Sequence, residues 1–262
     1  MHSVPRPNPG KAAFYGGMFD LQIGYLHLRL RREPWWGMDY GFGNFTMLKA
    51  VAKFAEGPRY DLDEIPWRQT LAECWGALVR APAAADRPAF VDFLRNRFGE
   101  RWLRAYPVFE ASLANRPDYF GCFRYEFHPG DRSINLHFQN TEQPRSPLEH
   151  LDKRRQDLRR IVADVEAQQL QPDCVRFDTW MNNLKPIQAL FPESFLKSLT
   201  PAEEFPKGQG WWGQFVTRDG GLNARRAEVL LSQGRFEFAR QMGQCPWPEF
   251  RAFTGTVEGR SL

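Results

Sequence analysis

The sequence predicts an α+β fold: a mainly helical N-terminal region followed by a mixed β-sheet covered by helices. Three observations carry this. Alternating aromatic runs flank His128-Pro129-Gly130-Asp131-Arg132, the pattern of an antiparallel hairpin. A long amphipathic helix opens at Ser146-Pro147, with Glu149 three residues after the cap position. After it, strand-like and helix-like segments alternate, giving the order β-β-α-β-α-β with a further helix and a last strand, as in sheets built with crossover helices.

In chain order, residues 1–11 carry three prolines and read as a flexible tail. Tyr25 to Arg31 alternates apolar and polar side chains, the period of a half-buried strand, and Pro34-Trp35-Trp36-Gly37 breaks it. Gly37, Gly41 and Gly43 form a loop. Met47, Leu48, Val51, Ala52 and Phe54 then have helical spacing up to Gly57-Pro58. Trp67, Leu71, Trp75 and Leu78 make a core stripe, and Phe90, Phe93, Leu94, Phe98, Trp102 and Leu103 a second, interrupted at Gly99. The pattern changes near Pro117. This sets a helical region over 12–117 and an α+β domain over 118–262, or else one continuous domain from 12 to 262.

In the second region, Phe120 to Phe127 and Ser133 to Phe138 are the hairpin strands. The helix over 146–169 buries Leu158, Ile161 and Val165 and stops before Pro172. Cys174 to Trp180 reads as a strand, and 186–199 as a helix that Pro192 kinks or splits. Trp211 to Thr217 is a strand, Arg218-Asp219-Gly220-Gly221 a tight turn, 223–233 a helix and Phe250 to Val257 a last strand.

Composition narrows the function classes. The 262 residues are 42% hydrophobic and 25% charged, which builds a core without staples. Net charge is +4, and the Lys153-to-Arg160 cluster alternates with Asp152 and Asp157, a solvated face rather than a phosphate grip. No specific nucleic-acid partner is expected. Cys74, Cys122, Cys174 and Cys245 are too scattered for a zinc set and read as reduced core thiols of a cytoplasmic protein. The N-terminus has no apolar secretory core, and no apolar run is long enough to span a membrane.

The candidate functional residues follow from these elements. Glu126 and His128 share one face of a strand, and His137 lies on its partner. Glu126 or His137 is the candidate catalytic general base, with a structural role as the plainer reading. No third ligand makes a metal site of them. Trp180, Asn182 and Asn183 end a strand where open sheets place ligands, although an Asn there also caps helices. Trp212 and Gln214 are expected to line the same aromatic cleft. Gly41-Phe42-Gly43-Asn44 lacks the dinucleotide spacing and reads as a connecting loop.

Taken together, Leu136-His137-Phe138-Gln139-Asn140, Ser146-Pro147-Leu148 with its Arg-rich helix, Thr179-Trp180-Met181-Asn182-Asn183-Leu184, Ala189 to Phe195 and Trp212-Gly213-Gln214-Phe215 resemble an uncharacterised bacterial family. Its members carry a related Asn-His-Phe segment, a Ser-Trp-Leu-x-Asn-Leu motif, an arginine-containing Leu-Phe-Pro-Pro motif and a Trp-Gly-Gln-Phe strand. The chain departs from it at Thr179, Met181 and Gln188-Ala189. The element order also resembles the later part of the acetyltransferase-like (GNAT) fold, which implies an acyl-CoA or related donor with its phosphates near Arg145 and Ser146. The glycine-bearing phosphate signature of that fold is absent, and Gln139 to Ser146 stands in its place. The sequence is therefore read as an acyltransferase-like enzyme acting on a small-molecule or peptide acceptor. The alternative is a non-catalytic ligand- or protein-binding protein with an aromatic cleft.

Overall fold

A computed structural model of the protein describes residues 9–32, 86–114, 118–142, 145–201 and 209–255. The expected helix at 46–55, its glycine loop, the Trp67–Leu78 stripe and Cys74 lie outside the described residues. The fold is α+β: N-terminal helices, then a five-stranded mixed sheet with interspersed helices. The chain divides into two compact units, one of residues 1–115 and 205–237, the other of 116–204 and 238–262.

In the first unit, α1 (Pro9–Arg32) packs on α2 (Arg87–Ala114), with α6 (Ala224–Gln233) against α1. The strand expected at 25–31 is instead the end of α1, which also takes in part of the expected tail. The local alternation misled because α1 is buried on almost every side. Tyr15, Met18, Leu21, Gln22, Tyr25 and Arg29 follow helical steps, yet Leu26 and His27 are buried as well. Gly99 does not interrupt α2. Trp102 is fully buried, and its indole N–H donates to the Tyr15 carbonyl at 2.6 Å. Residues 209–215, expected as a strand, form a 3-10 helix whose Trp212 and Phe215 join this core. The turn that follows is as expected: Val216 bridges Leu222, and Gly220 takes a φ of 80°.

In the second unit, β1 (Phe123–His128) and β2 (Ser133–Phe138) form the expected hairpin, paired from Phe123↔Phe138 to His128↔Ser133. A 3-10 turn (Pro147–Glu149) leads to α3 (Leu151–Ala167), with Ser146 capping the turn rather than the helix. β3 (Cys174–Thr179) returns parallel to β2, as a helical crossover permits. Pro192 separates α4 (Lys185–Gln188) from α5 (Glu193–Lys197). β4 (Thr200–Pro201) is short, and β5 (Gln241–Pro246) pairs antiparallel with both β3 and β4, giving the order β1-β2-β3-β5-β4. The strand expected at 250–257 is instead α7 (Trp247–Gly255): Trp247, Phe250 and Phe253 recur every third residue, and only Phe250 is fully buried.

The two faces of this sheet differ. Phe123, Ile134, Leu136, Val175, Phe177 and Cys245 point into one core with Leu158, Ile161 and Val165 of α3. Gly243 belongs to this face; a Cβ there would enter the Phe195 ring, so the small residue lets α5 sit down on β5. The opposite face is polar, because the register sets Arg124 beside His137, Asn135 beside Arg176, and Arg176 beside Gln244.

Candidate functional site

β2 and β3 part at their carboxyl ends. Their register ends at Leu136↔Phe177, although β2 continues to Phe138 and β3 to Thr179. Each strand keeps its outer neighbour over those residues: β1 pairs through Phe138, and β5 through Thr179. The result is a split between two parallel strands at their carboxyl ends, where open sheets take ligands. The end of β3 is held by a side chain rather than frayed. The Asn182 side-chain amide donates to the carbonyl of Phe177, the last β3 residue in register, at 2.8 Å, and to that of Gln241 at 2.9 Å.

His137 and Asp178 would be the next rung, and both lie on the polar face. Each already has a partner. His137 Nε2 stands 3.3 Å from Glu126 Oε2, so the hairpin does bring Glu126 and His137 together. Glu126 is also held by Arg124. The hydrogen bond from Arg124 draws the Glu126 carboxyl below its usual range; partial burial opposes this, and the charge of His137 adds to it. Across the split, the Arg240 guanidinium grips both oxygens of Asp178. His128 sits exposed at the hairpin turn, the other end of the strand from the split.

Trp180 to Asn183 form a 3-10 turn directly after β3, started by the Thr179 hydroxyl accepting from Met181 N–H. The Trp180 ring stacks on Phe238 with centroids 5.7 Å apart. Asn183 donates to the Trp180 and Ala239 carbonyls, both at 2.7 Å. Neither Asn182 nor Asn183 caps the next helix, whose capping residue is Leu184. Both amides instead tie the turn to the chain that enters β5. Trp212 and Gln214 belong to the other unit. There both are buried: Trp212 packs edge-on against Tyr25 and Phe236, and the Gln214 amide donates to the Trp211 carbonyl at 3.1 Å.

The head of α3 holds a buried polar cluster that the sequence reading placed on a solvated face. Arg154 and Asp157 are each only 2% exposed. Arg154 reaches the Cys122 sulfur with one nitrogen and Glu142 Oε1 with another, at 2.9 Å, while its Nε lies 3.0 Å from Asp157 Oδ2. Asp157 also accepts from the Cys122 backbone N–H at 3.0 Å and from Arg160. Burial pushes the Cys122 thiol up; hydrogen bonding to Thr141 and the charge of Arg154 offset this only in part. The thiol is therefore a packing and hydrogen-bonding group at neutral pH, not a nucleophile.

A coenzyme A diphosphate does not fit this end of α3. Burial raises the Glu142 carboxyl, but Arg154, Lys153 and His150 outweigh it and hold the group ionised below its usual range. A carboxylate thus occupies the cationic position, and the Ser146 hydroxyl is engaged by Leu148 N–H at 3.4 Å. Arg145, expected with Ser146 as a phosphate contact, is exposed. Among the described residues, no cluster of three or more His, Cys, Asp or Glu offers a metal site, and no helix is long and apolar enough to cross a membrane.

Comparison with protein families, curated proteins and solved structures gave no match.

Proposed function

We propose that this protein is an acyltransferase-like enzyme that brings an acyl donor and a small-molecule or peptide acceptor together at the split between β2 and β3. The observation that carries this reading is the early end of the β2/β3 register, with the Glu126–His137 pair on one lip. Parted parallel strands offer backbone donors and acceptors to an extended arm entering between them. His137 takes the proton of the attacking group on the acceptor, and Glu126 orients the imidazole. Glu126 is not itself the base, because a carboxyl held below its usual range is too weak for that role. The nucleophile adds to the acyl carbonyl, the leaving group departs with the electron pair of the broken bond, and His137 returns the proton to it.

The reading is tested with S-acetylpantetheine as donor and a panel of amines and alcohols as acceptors, following release of free thiol. His137→Ala is expected to lower turnover by about 10²–10⁴-fold, and Glu126→Gln by less. A His137→Ala variant at full rate, or a native chain that binds these compounds without turning them over, removes the reading. The second outcome favours a binding protein without chemistry, for which the commitment of Glu126 to Arg124 already speaks.

A further inference from the structure

We infer that Glu142 is a built-in anion: from within the chain it fills a cation-lined position at the head of α3 that would otherwise take a phosphate or diphosphate, so the donor admitted at the neighbouring split is an acyl thioester or ester that brings no diphosphate. The word donor rests on the acyl-transfer reading; the anion position stands on geometry alone.

Asp157 already balances the charge of Arg154, through Nε at 3.0 Å. A second carboxylate is nevertheless drawn in: Glu142 Oε1 lies 2.9 Å from Arg154 Nη2 and 3.7 Å from Lys153 Nζ. Both cations belong to the first turn of a 17-residue helix, where the dipole favours negative charge. The fit is incomplete. Glu142 Oε2 is buried and has no hydrogen-bond partner among the described residues. An orphaned buried carboxylate oxygen is costly. It marks a cradle that the carboxylate occupies without filling its own needs, and that a phosphate with three oxygens would use differently. Glu142 also sits on the connection that leaves β2 at the split, tethered by its N–H to Asn140 Oδ1 at 2.9 Å. A diphosphate arriving there meets a like charge.

The test is calorimetric titration of the full chain and of Glu142→Gln with inorganic pyrophosphate, acetyl-CoA and S-acetylpantetheine. The native chain is expected to take up no pyrophosphate and to bind acetyl-CoA no better than S-acetylpantetheine. Glu142→Gln is expected to take up pyrophosphate and to gain about tenfold or more for acetyl-CoA over S-acetylpantetheine. A folded Glu142→Gln that takes up no pyrophosphate overturns the inference, as does a native chain that binds it equally well. If Glu142→Gln does not fold, Glu142→Asp keeps the charge but withdraws it by one methylene; a smaller gain is expected, and no gain has the same meaning. Pyrophosphate uptake by the variant, with no S-acetylpantetheine bound to either protein, leaves the Glu142 inference standing and removes the acyl-transfer reading.

Discussion

Gly121→Ala tests the packing around the head of α3 most sharply. Gly121 has a φ of 65°, and a Cβ built there collides with the Asp157 carboxylate. Alanine in this conformation costs about 1–2 kcal/mol by itself. The larger cost comes from the carboxylate. It ends a short side chain, and it is pinned by the Cys122 N–H, Arg154 and Arg160. Displacing it parts a buried ion pair, worth about 3–5 kcal/mol when one partner is lost. The expected loss is therefore about 4–7 kcal/mol, a large share of the roughly 5–15 kcal/mol that holds a typical domain. Urea denaturation followed by tryptophan fluorescence measures it. A loss of no more than about 2 kcal/mol would mean that the carboxylate moves aside freely, and the reasoning fails. A double-mutant cycle isolates the contact: in an Asp157→Ala background, Gly121→Ala should cost only the backbone term.

Asn182→Ala is expected to destabilise the fold by about 2–4 kcal/mol, because it strands two backbone carbonyls, of Phe177 in β3 and Gln241 in β5; a shift under about half a kcal/mol in the same assay would mean that water replaces the amide without loss. The acid limb of stability should follow Glu126 and Glu142. Their folded-state values lie below the usual carboxylate range, so their contribution is complete above the unfolded value and is lost as pH falls through the folded one. Melting temperature from about pH 7 to pH 3 should therefore drop mainly below about pH 4.5, and Glu142→Gln should flatten that drop; an unchanged acid limb counts against the pairing.

The elements legible in the sequence were those whose signals are local. The Pro129-Gly130 turn, the apolar stripe of α3 and the break at Pro192 all state their structure within a few residues. β5 was missed for a physical reason. Its buried inward residues are Gly243, kept small by the Phe195 ring over it, and Cys245, so the strand has no large apolar alternation to read. The aromatic run after it drew the strand assignment instead. The pairing of Glu126 with His137 was legible because both lie on one hairpin. Asp178 and Arg240 were not, since 62 residues separate them and only the return of β5 beside β3 brings them together. Arg154 and Asp157 looked like surface charges at helical spacing; their burial depends on the segment from Gly121 to Glu142, which no helix pattern encodes.

The split itself is encoded in an amide. A strand pair that merely frays leaves its last carbonyls to water, whereas here Asn182 crosses the end of β3 and takes both the Phe177 and Gln241 carbonyls from a fully buried position. The Thr179 hydroxyl starts the turn that puts Asn182 there, and Asn183 fixes the same turn to Ala239. Three neighbouring side chains thus hold the end of β3 in a shape that a continued β2/β3 ladder would not need. Structure of that kind is retained against its cost where a shape is used. The end of β3, rather than the aromatic residues, is where side chains are committed to a shape beyond packing. Trp212 is consumed in packing its own unit and Trp180 is stacked on Phe238, while His137 and Asp178 stand at the parting, the first beside Glu126 and the second held by Arg240.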